Sequence, residues 1–190
     1  MPDKSGKENE VMKTGERPVQ HLLIFPLFRP ITILRMPPIE CRSTDIKEIE
    51  LIRPLWVQLN DHHHAMARVF RNHYEQWTFE DRKAYFEKVA AAGSLKLDLA
   101  FDSQRDRCVG YCVCSLSKEK TGEIESIFVD DAYRSQGIGT ALVTRALAWL
   151  DMNGSVKNRV PVADGNEVAW DFYKKFGFYP RMMVLEQKKE

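Results

Sequence analysis

The sequence lacks the charge excess that marks several functional classes of protein. Its 28 Lys and Arg residues nearly balance 27 Asp and Glu residues, and the formal net charge is +1. Proteins that bind nucleic acid or an anionic membrane by electrostatic attraction carry a clear positive excess. We therefore expect neither nucleic acid nor a membrane among its partners.

Cysteine is also scarce, and its spacing does not form the common paired motifs. None of the four cysteines belongs to a CxxC pair, and Cys112 and Cys114 lie two positions apart on an expected strand. Reduced core cysteines of a cytoplasmic protein account for them better than a disulfide or metal site does. The run 62–64 is all histidine but contains no pair at i, i+4, so we expect no metal cofactor.

Long hydrophobic runs are absent as well. The most apolar N-terminal stretch, residues 21–34, is interrupted by Pro26, Arg29 and Pro30 and is too short to span a bilayer. Residues 1–15 are polar and predict a disordered tail. We predict an N-terminal extension over 1–38 and one domain over 39–190. Residues 21–34 are a strand that docks on the domain, an interaction segment, or part of an upstream region preceding a natural start at Met36.

Alternating periodicities predict an α/β protein with a mixed sheet. Period-two patterns indicate strands, and apolar residues at helical spacing indicate helices. The expected strands are 39–42, 95–100, 108–116, 123–129, 156–163 and 181–187, and the expected helices are 46–60, 61–74, 79–92, 136–152 and 166–176. Pro161 predicts an irregular or edge position for the fifth strand. Helix-linked strands mixed with hairpins are typical of such a sheet.

The fourth strand leads into a glycine-spaced turn that opens a helix. Residues 124–150 contain a β-rich run, an acidic turn, Gly137 and Gly139, and then a long helical pattern. The first N–H groups of a helix have no internal partners and bind anions, and glycines let a phosphate approach the backbone. Gly137-x-Gly139 is a poor dinucleotide fingerprint, because Leu142 occupies the third glycine position.

Two motifs extend this signal. Arg134 to Gly139 fits the pattern Gln/Arg-x-x-Gly-x-Gly/Ala, and Asn166-x-x-Ala-x-x-Phe-Tyr173-x-Lys-x-Gly-Phe178 follows about thirty residues later. Together they resemble the GNAT superfamily of acetyl-CoA-dependent N-acetyltransferases. The resemblance covers 39–190 in element order and single residues over 123–178. It implies a mostly antiparallel mixed sheet, splayed between strands four and five and flanked by about four helices.

The resemblance also implies where acetyl-CoA would bind as cosubstrate. Its pantetheine would run along strand four, and its pyrophosphate would lie at the start of the following helix, facing Arg134. Asn166 would cap its helix, bond the pantetheine arm, or do both. The cofactor-binding residues expected on this basis are Ile127, Phe128, Val129, Arg134, Ser135, Gln136, Gly137, Ile138, Gly139, Thr140, Asn166 and Tyr173.

Three residues are expected to carry the chemistry. Glu123 and Glu125 lie two apart on strand four, hence on one face, and either could take the proton of the amine; the alternative is a pair of half-exposed strand carboxylates. Tyr173 matches the family tyrosine that protonates the departing thiolate; the alternative is a core aromatic. A backbone N–H of Phe128 or Val129 would meet the oxyanion.

The expected function is transfer of an acetyl group to a primary amine by direct attack in a ternary complex. The acceptor would be a small-molecule or peptide amine, and a homodimer is compatible with the resemblance. The alternative is a catalytically inactive CoA-binding sensor or interaction module of the same fold.

Overall fold

Five strands form one sheet in the order β1-β2-β3-β4-β5. The structure, a computed structural model, describes residues 38–188, so the predictions made for residues 1–37 lie outside the described residues. The strands are β1 (Ile39–Thr44), β2 (Ser94–Asp102), β3 (Arg107–Leu116), β4 (Thr121–Val129) and β5 (Lys157–Arg159). The first four pair antiparallel, and β5 pairs parallel to β4. The expected mixed, mostly antiparallel sheet is confirmed.

Helices cover both faces of this sheet. They are α1 (Arg53–Met66), α2 (Arg71–Gln76), α3 (Phe79–Ala92), α4 (Ile138–Met152) and α5 (Ala169–Lys174), with 3-10 helices at Ile46–Ile52 and Asp131–Tyr133. Aromatic and aliphatic side chains of α1 and α3 bury one face around Leu97, Tyr111 and Phe128. Residues of α4 and α5 bury the other face around Cys112 and Ile124. No helix among residues 38–188 is long and apolar enough to cross a membrane.

Local signals explain where α3 begins and ends. The hydroxyl of Thr78 accepts from the N–H of Asp81, and the Asp81 carboxylate accepts from the N–H of Thr78. This reciprocal pair satisfies free donors of the first turn, and Gly93 follows the last residue. The predicted bounds of this helix are therefore confirmed.

Two of the remaining predictions, one of a helix and one of a strand, are wrong. The helix expected over 61–74 is broken, because Ala67 is buried in an extended conformation between α1 and α2. The strand expected over 181–187 is not formed, and its large apolar side chains are exposed. A strand needs a neighbour with free backbone groups, and β5 contains only three residues and is followed by Pro161, which has no N–H.

Candidate active site

A gap opens between β4 and β5 where their pairing stops. The parallel register ends at Glu123 opposite Arg159, while β4 continues to Val129. A β-bulge lies at the same point, since Ser126 pairs with Val113 and Ile124 pairs with Cys114, leaving Glu125 unmatched. A bulge bends and twists its strand. The second half of β4 therefore borders an open side of the sheet.

The bulge also changes which way the side chains of β4 point. The Glu125 carboxylate contacts Ser115 and Tyr85, and the Ser126 hydroxyl lies 2.9 Å from the Tyr111 hydroxyl. The side chains of Glu125 and Ser126 therefore both face the α3 side, whereas successive side chains of a regular strand point to opposite faces. Ile127 and Val129 pack on the α4 side, and Phe128 joins the core on the α3 side.

The turn before α4 has the shape of an anion-binding loop. Ser135 and Gly137 both adopt left-handed backbone angles, with φ of 61° and 81°. Nothing lies within 4 Å of where a Cβ of Gly137 would stand. The N–H groups of residues 136–140, from Gln136 through Ile138 and Gly139 to Thr140, have no acceptor among residues 38–188. These donors converge at the positive end of the α4 dipole.

Arg134 lies beside this loop and is anchored by its own turn. Its Nη2 is 2.7 Å from Asp131 Oδ1, and its Nε donates to the Val129 carbonyl over 3.2 Å. Its guanidinium lies 5.2 Å from the centre of the Phe128 ring. The side chain remains 45% exposed, so it can both close the turn and offer charge to an anion.

Glu123 lies where the two strands separate. Its carboxylate accepts from Nε of Arg159 across the parallel pair, and the residue is 9% exposed. Burial, and then the charge of Glu125, raise its pKa, while Arg159 opposes that shift. A carboxylate with a raised pKa is a better proton acceptor near neutral pH.

Glu125 is fixed at both carboxylate oxygens. Ser115 donates to Oε1 over 2.6 Å, and the hydroxyl of Tyr85 donates to Oε2 over 3.0 Å. Its main-chain carbonyl accepts from the Arg82 guanidinium of α3. Burial and the nearby carboxylate raise the pKa of Tyr85 to about 12, so this phenol stays a donor.

Tyr173 lies on the opposite face of the sheet, in α5. The residue is 7% exposed, and its hydroxyl has no hydrogen-bond partner within residues 38–188. Burial raises its pKa, with a smaller contribution from Cys112. Burial likewise raises the pKa of the Cys112 and Cys114 thiols, so both stay protonated and poorly nucleophilic.

Asn166 is part of a loop that salt bridges join to the connection between α1 and α2. Its carbonyl accepts from the N–H of Ala169, but no side-chain cap is formed at the start of α5, so the expected capping by its side chain is wrong. On either side of it, Asp164 and Glu167 both bind Arg68, the former at 2.5 Å. Asn166 therefore lies on a loop whose two flanking acidic residues are bound by Arg68.

The structure brings some predicted residues together and adds others. Glu123 and Glu125 line one cavity of about 660 Å³ on the α3 side, while the loop of residues 134–140 follows the same strand after one 3-10 helix. Sequence reasoning missed Tyr85, Ser115 and Arg159, which bind the two carboxylates, and Arg82, which binds the main-chain carbonyl of Glu125. Their contacts depend on the bulge and on the β4–β5 register, for which the sequence carries no local signal.

Comparison with known families agrees with this geometry. The family model described as "Acetyltransferase (GNAT) family" matches residues 56–178, which is more than half of the chain. The chain therefore belongs to the GNAT acetyltransferase family.

A curated relative and several solved structures are similar to the chain. A protein of Methanocaldococcus jannaschii described as an uncharacterized N-acetyltransferase is 34% identical over 82 residues, which are 40% of this chain and 36% of that protein. The chain thus matches little more than a third of that relative's length.

The solved structures match this chain over nearly their whole length, but at low sequence identity. AAC(6')-Iy, solved with the bisubstrate analogue CoA-S-monomethyl-acetylneamine, is 17% identical at a TM-score of 0.59, over 80% of this chain and 99% of its own. A GCN5-related N-acetyltransferase of Ralstonia eutropha has the same identity and coverage at a TM-score of 0.64. A protein of Pyrococcus furiosus assigned as an acetyl transferase is 24% identical at 0.60, over 79% and 100%. These similarities establish the fold.

Proposed function

We propose that the protein transfers an acetyl group from acetyl-CoA to the primary amine of a small molecule by direct attack in a ternary complex. The observation that carries this proposal is the gap between β4 and β5, with Glu123 and Glu125 where it begins and the free N–H groups before α4 where it ends. Membership of the GNAT family supports the reaction class.

The residues of the gap fit the parts of acetyl-CoA. The N–H groups of residues 136–140 and the charge of Arg134 suit a pyrophosphate. The backbone of Ile127 to Val129 has no strand partner on the β5 side among the described residues, and it suits the amides of pantetheine as an added strand would. AAC(6')-Iy, which shares the fold, was solved in complex with CoA. Bound acetyl-CoA supplies an activated thioester.

The acceptor amine must lose a proton before or during attack. An alkylammonium with a pKa near ~10.4 costs roughly 4–5 kcal/mol to deprotonate at pH 7, so a positioned base is useful. Glu123, whose pKa is raised, takes that proton, and Glu125 orients the ammonium group on the way in. The amine nitrogen then bonds to the acyl carbon, the carbon–sulfur bond breaks, and the nitrogen releases its second proton to solvent.

The leaving thiolate also needs a proton or a hydrogen bond. The Tyr173 hydroxyl is protonated and free among the described residues, so it donates to the sulfur and recovers its proton from solvent. The N–H of Phe128 or Val129 stabilises the oxyanion that develops on the acyl oxygen. The acyl chemistry then needs no metal ion and no acyl-enzyme.

Acetylation of an amine panel tests the proposal directly. Thiol release from acetyl-CoA is followed over small primary amines, and each product is identified by mass. We expect one class of amine to gain an acetyl group with stoichiometric release of CoA. Tight binding of CoA without turnover on any amine would favour the inactive sensor instead.

Replacing Tyr173 tests its role as proton donor. We expect Tyr173→Phe to lower kcat by about 100-fold while the affinity for acetyl-CoA is kept, because only the leaving group loses its donor. The matched control is Tyr179→Phe, which removes a hydroxyl from an exposed tyrosine of the same region. An unchanged kcat in Tyr173→Phe would remove this residue from the acid role.

A further inference from the structure

The cavity beside Glu123 and Glu125 has walls of both charges. It measures about 660 Å³ and lies between α3, the end of β3 and the paired part of β4 and β5. That volume is typical of small-molecule sites. The charged residues that line it are Glu123, Glu125 and Arg159, together with Lys118 and Glu119 of the exposed turn between β3 and β4.

Arg159 presents unused hydrogen-bond donors to this cavity. Its Nε binds Glu123, whereas its two terminal nitrogens have no partner within residues 38–188. The side chain is 61% exposed. A guanidinium group offers a planar pair of N–H donors that matches a carboxylate, and such paired bonds are stronger than those of neutral groups. The free edge of Arg159 is therefore a site for an anionic group.

Glu125 marks the position of the amine in the same cavity. Its carboxylate is held by Ser115 and Tyr85, yet each oxygen keeps a further lone pair for an ammonium donor. Arg159 lies opposite Glu123 in the β4–β5 register, two positions along β4 from Glu125. Two residues along a regular strand correspond to about 6–7 Å between Cα atoms, and the bulge at Glu125 bends the strand within this span. An anion on Arg159 and an ammonium on Glu125 can thus belong to one small molecule.

We propose that the acceptor is an amine that carries a carboxylate a few methylene groups away, that is, a small ω-amino acid. Its carboxylate binds the terminal nitrogens of Arg159, and its amine is directed to Glu125 and the start of the gap. This inference rests on the proposed acetylation of amines and specifies the acceptor of that same site. A purely cationic acceptor would leave the Arg159 donors unpaired and would meet their positive charge.

Matched pairs of amines test the subsite. β-Alanine, γ-aminobutyrate and lysine are each compared with the amine left after removal of the carboxyl group, namely ethylamine, propylamine and cadaverine. We expect kcat/KM to favour the carboxylated member of the best pair by about 10- to 100-fold, the range of a charge-assisted hydrogen-bond pair. Arg159→Gln should bring this ratio close to one, and Arg159→Lys should restore part of it.

The ratio within a pair separates recognition from a merely structural role of Arg159. Loss of the bond to Glu123 affects both members equally and cancels, whereas loss of a carboxylate subsite affects one member. The control is Lys157→Gln, which removes a positive charge from the same short strand outside the cavity lining. Equal kcat/KM within every pair, a preference for cadaverine, or a ratio unchanged in Arg159→Gln would each overturn the inference.

A binding measurement keeps the inference separate from the reaction. Calorimetric titration of the protein–CoA complex with γ-aminobutyrate and with propylamine needs no turnover. Binding of γ-aminobutyrate that Arg159→Gln abolishes, without acetylation of any amine, would retain the subsite and reject the proposed function. Acetylation of amines with no carboxylate preference would reject the subsite alone.

Discussion

Arg82 is the residue that fixes the bulge of β4 from the helix side. Its guanidinium donates to the Glu125 carbonyl and lies 4.3 Å from the centre of the Phe86 ring and 4.9 Å from that of Tyr85. Burial lowers the pKa of this arginine, and the nearby Glu125 carboxylate opposes that shift. The cation–π contacts and the bulge carbonyl together offset part of the cost of withdrawing the charge from water. Arg82 is therefore a positioning residue for the main chain at Glu125.

Replacing Arg82 should change the pH dependence of the reaction. Its charge lowers the pKa of Glu123, so Arg82→Gln raises that pKa. Because a base works in its deprotonated form, the acid limb of kcat/KM should move to higher pH. We also expect a loss of about 1–3 kcal/mol in the free energy of unfolding, since a bulge carbonyl loses its donor. Steady-state rates over pH and chemical denaturation measure the two effects.

A neighbouring lysine supplies the control for Arg82. Lys83→Gln removes one positive charge from the same helix, but Lys83 pairs with Glu50 on the exposed side. The acid limb of kcat/KM in Lys83→Gln should match that of the unchanged protein. Arg82→Lys keeps the charge but loses the planar contacts, so its acid limb should lie between those of Arg82→Gln and the unchanged protein. If Arg82→Gln lowers stability without any shift of the acid limb, Arg82 has a structural role only.

The connection between α1 and α2 and the loop between β5 and α5 form a closely packed pair of elements. Arg68 binds Asp164 and Glu167, although all three side chains are more than 40% exposed, so these pairs alone contribute little. The closer constraint is Gly165, where an added Cβ would lie 2.3 Å from the Met66 carbonyl oxygen, with φ at 88°. Backbone packing rather than charge holds the two elements together.

Substitution of Gly165 measures that packing. Gly165→Ala combines an unfavourable left-handed conformation, roughly 1–2 kcal/mol, with a backbone clash of about 1–3 kcal/mol. Gly154→Ala is the control, because its φ is 76° and nothing lies within 4 Å of its Cβ position. We expect Gly165→Ala to lose clearly more free energy of unfolding than Gly154→Ala in chemical denaturation. Equal losses would mean that the loop moves freely away from Met66.

The sequence predicts elements where the deciding signal is local. Thr78, Asp81 and Gly93 set the bounds of α3 within a few residues, and those bounds are confirmed. The strand expected over 181–187 has suitable residues but no partner, and pairing is a property of the sheet rather than of the segment. The same limit explains Arg159, whose bond to Glu123 exists only because β5 joins β4 in parallel.

At the scale of the whole molecule, the two motifs that indicate the family meet on one face of the sheet. The glycine turn before α4 and the tyrosine of α5 lie on the same side of the sheet and share one buried cluster with β3 and β4. The two carboxylates lie on the other face, where Tyr85 of α3 binds Glu125 and Arg159 of β5 binds Glu123. The gap between β4 and β5 joins the faces, so a cofactor within it would contact groups from both.

CoA bound in the gap should therefore stabilise the whole domain. At a concentration 100 times its Kd, CoA adds about 2.7 kcal/mol to the free energy of unfolding, which corresponds to a rise in Tm of about 5–10 °C for a domain of this size. Differential scanning fluorimetry measures the shift.

Pantetheine, which lacks the pyrophosphate, is the control ligand and at the same concentration should give a much smaller rise in Tm, because it leaves the N–H groups of residues 136–140 unpaired. Arg134→Gln should reduce the rise with CoA and leave that with pantetheine unchanged. Equal shifts from the two ligands, or none from CoA, would contradict a pyrophosphate site at the start of α4.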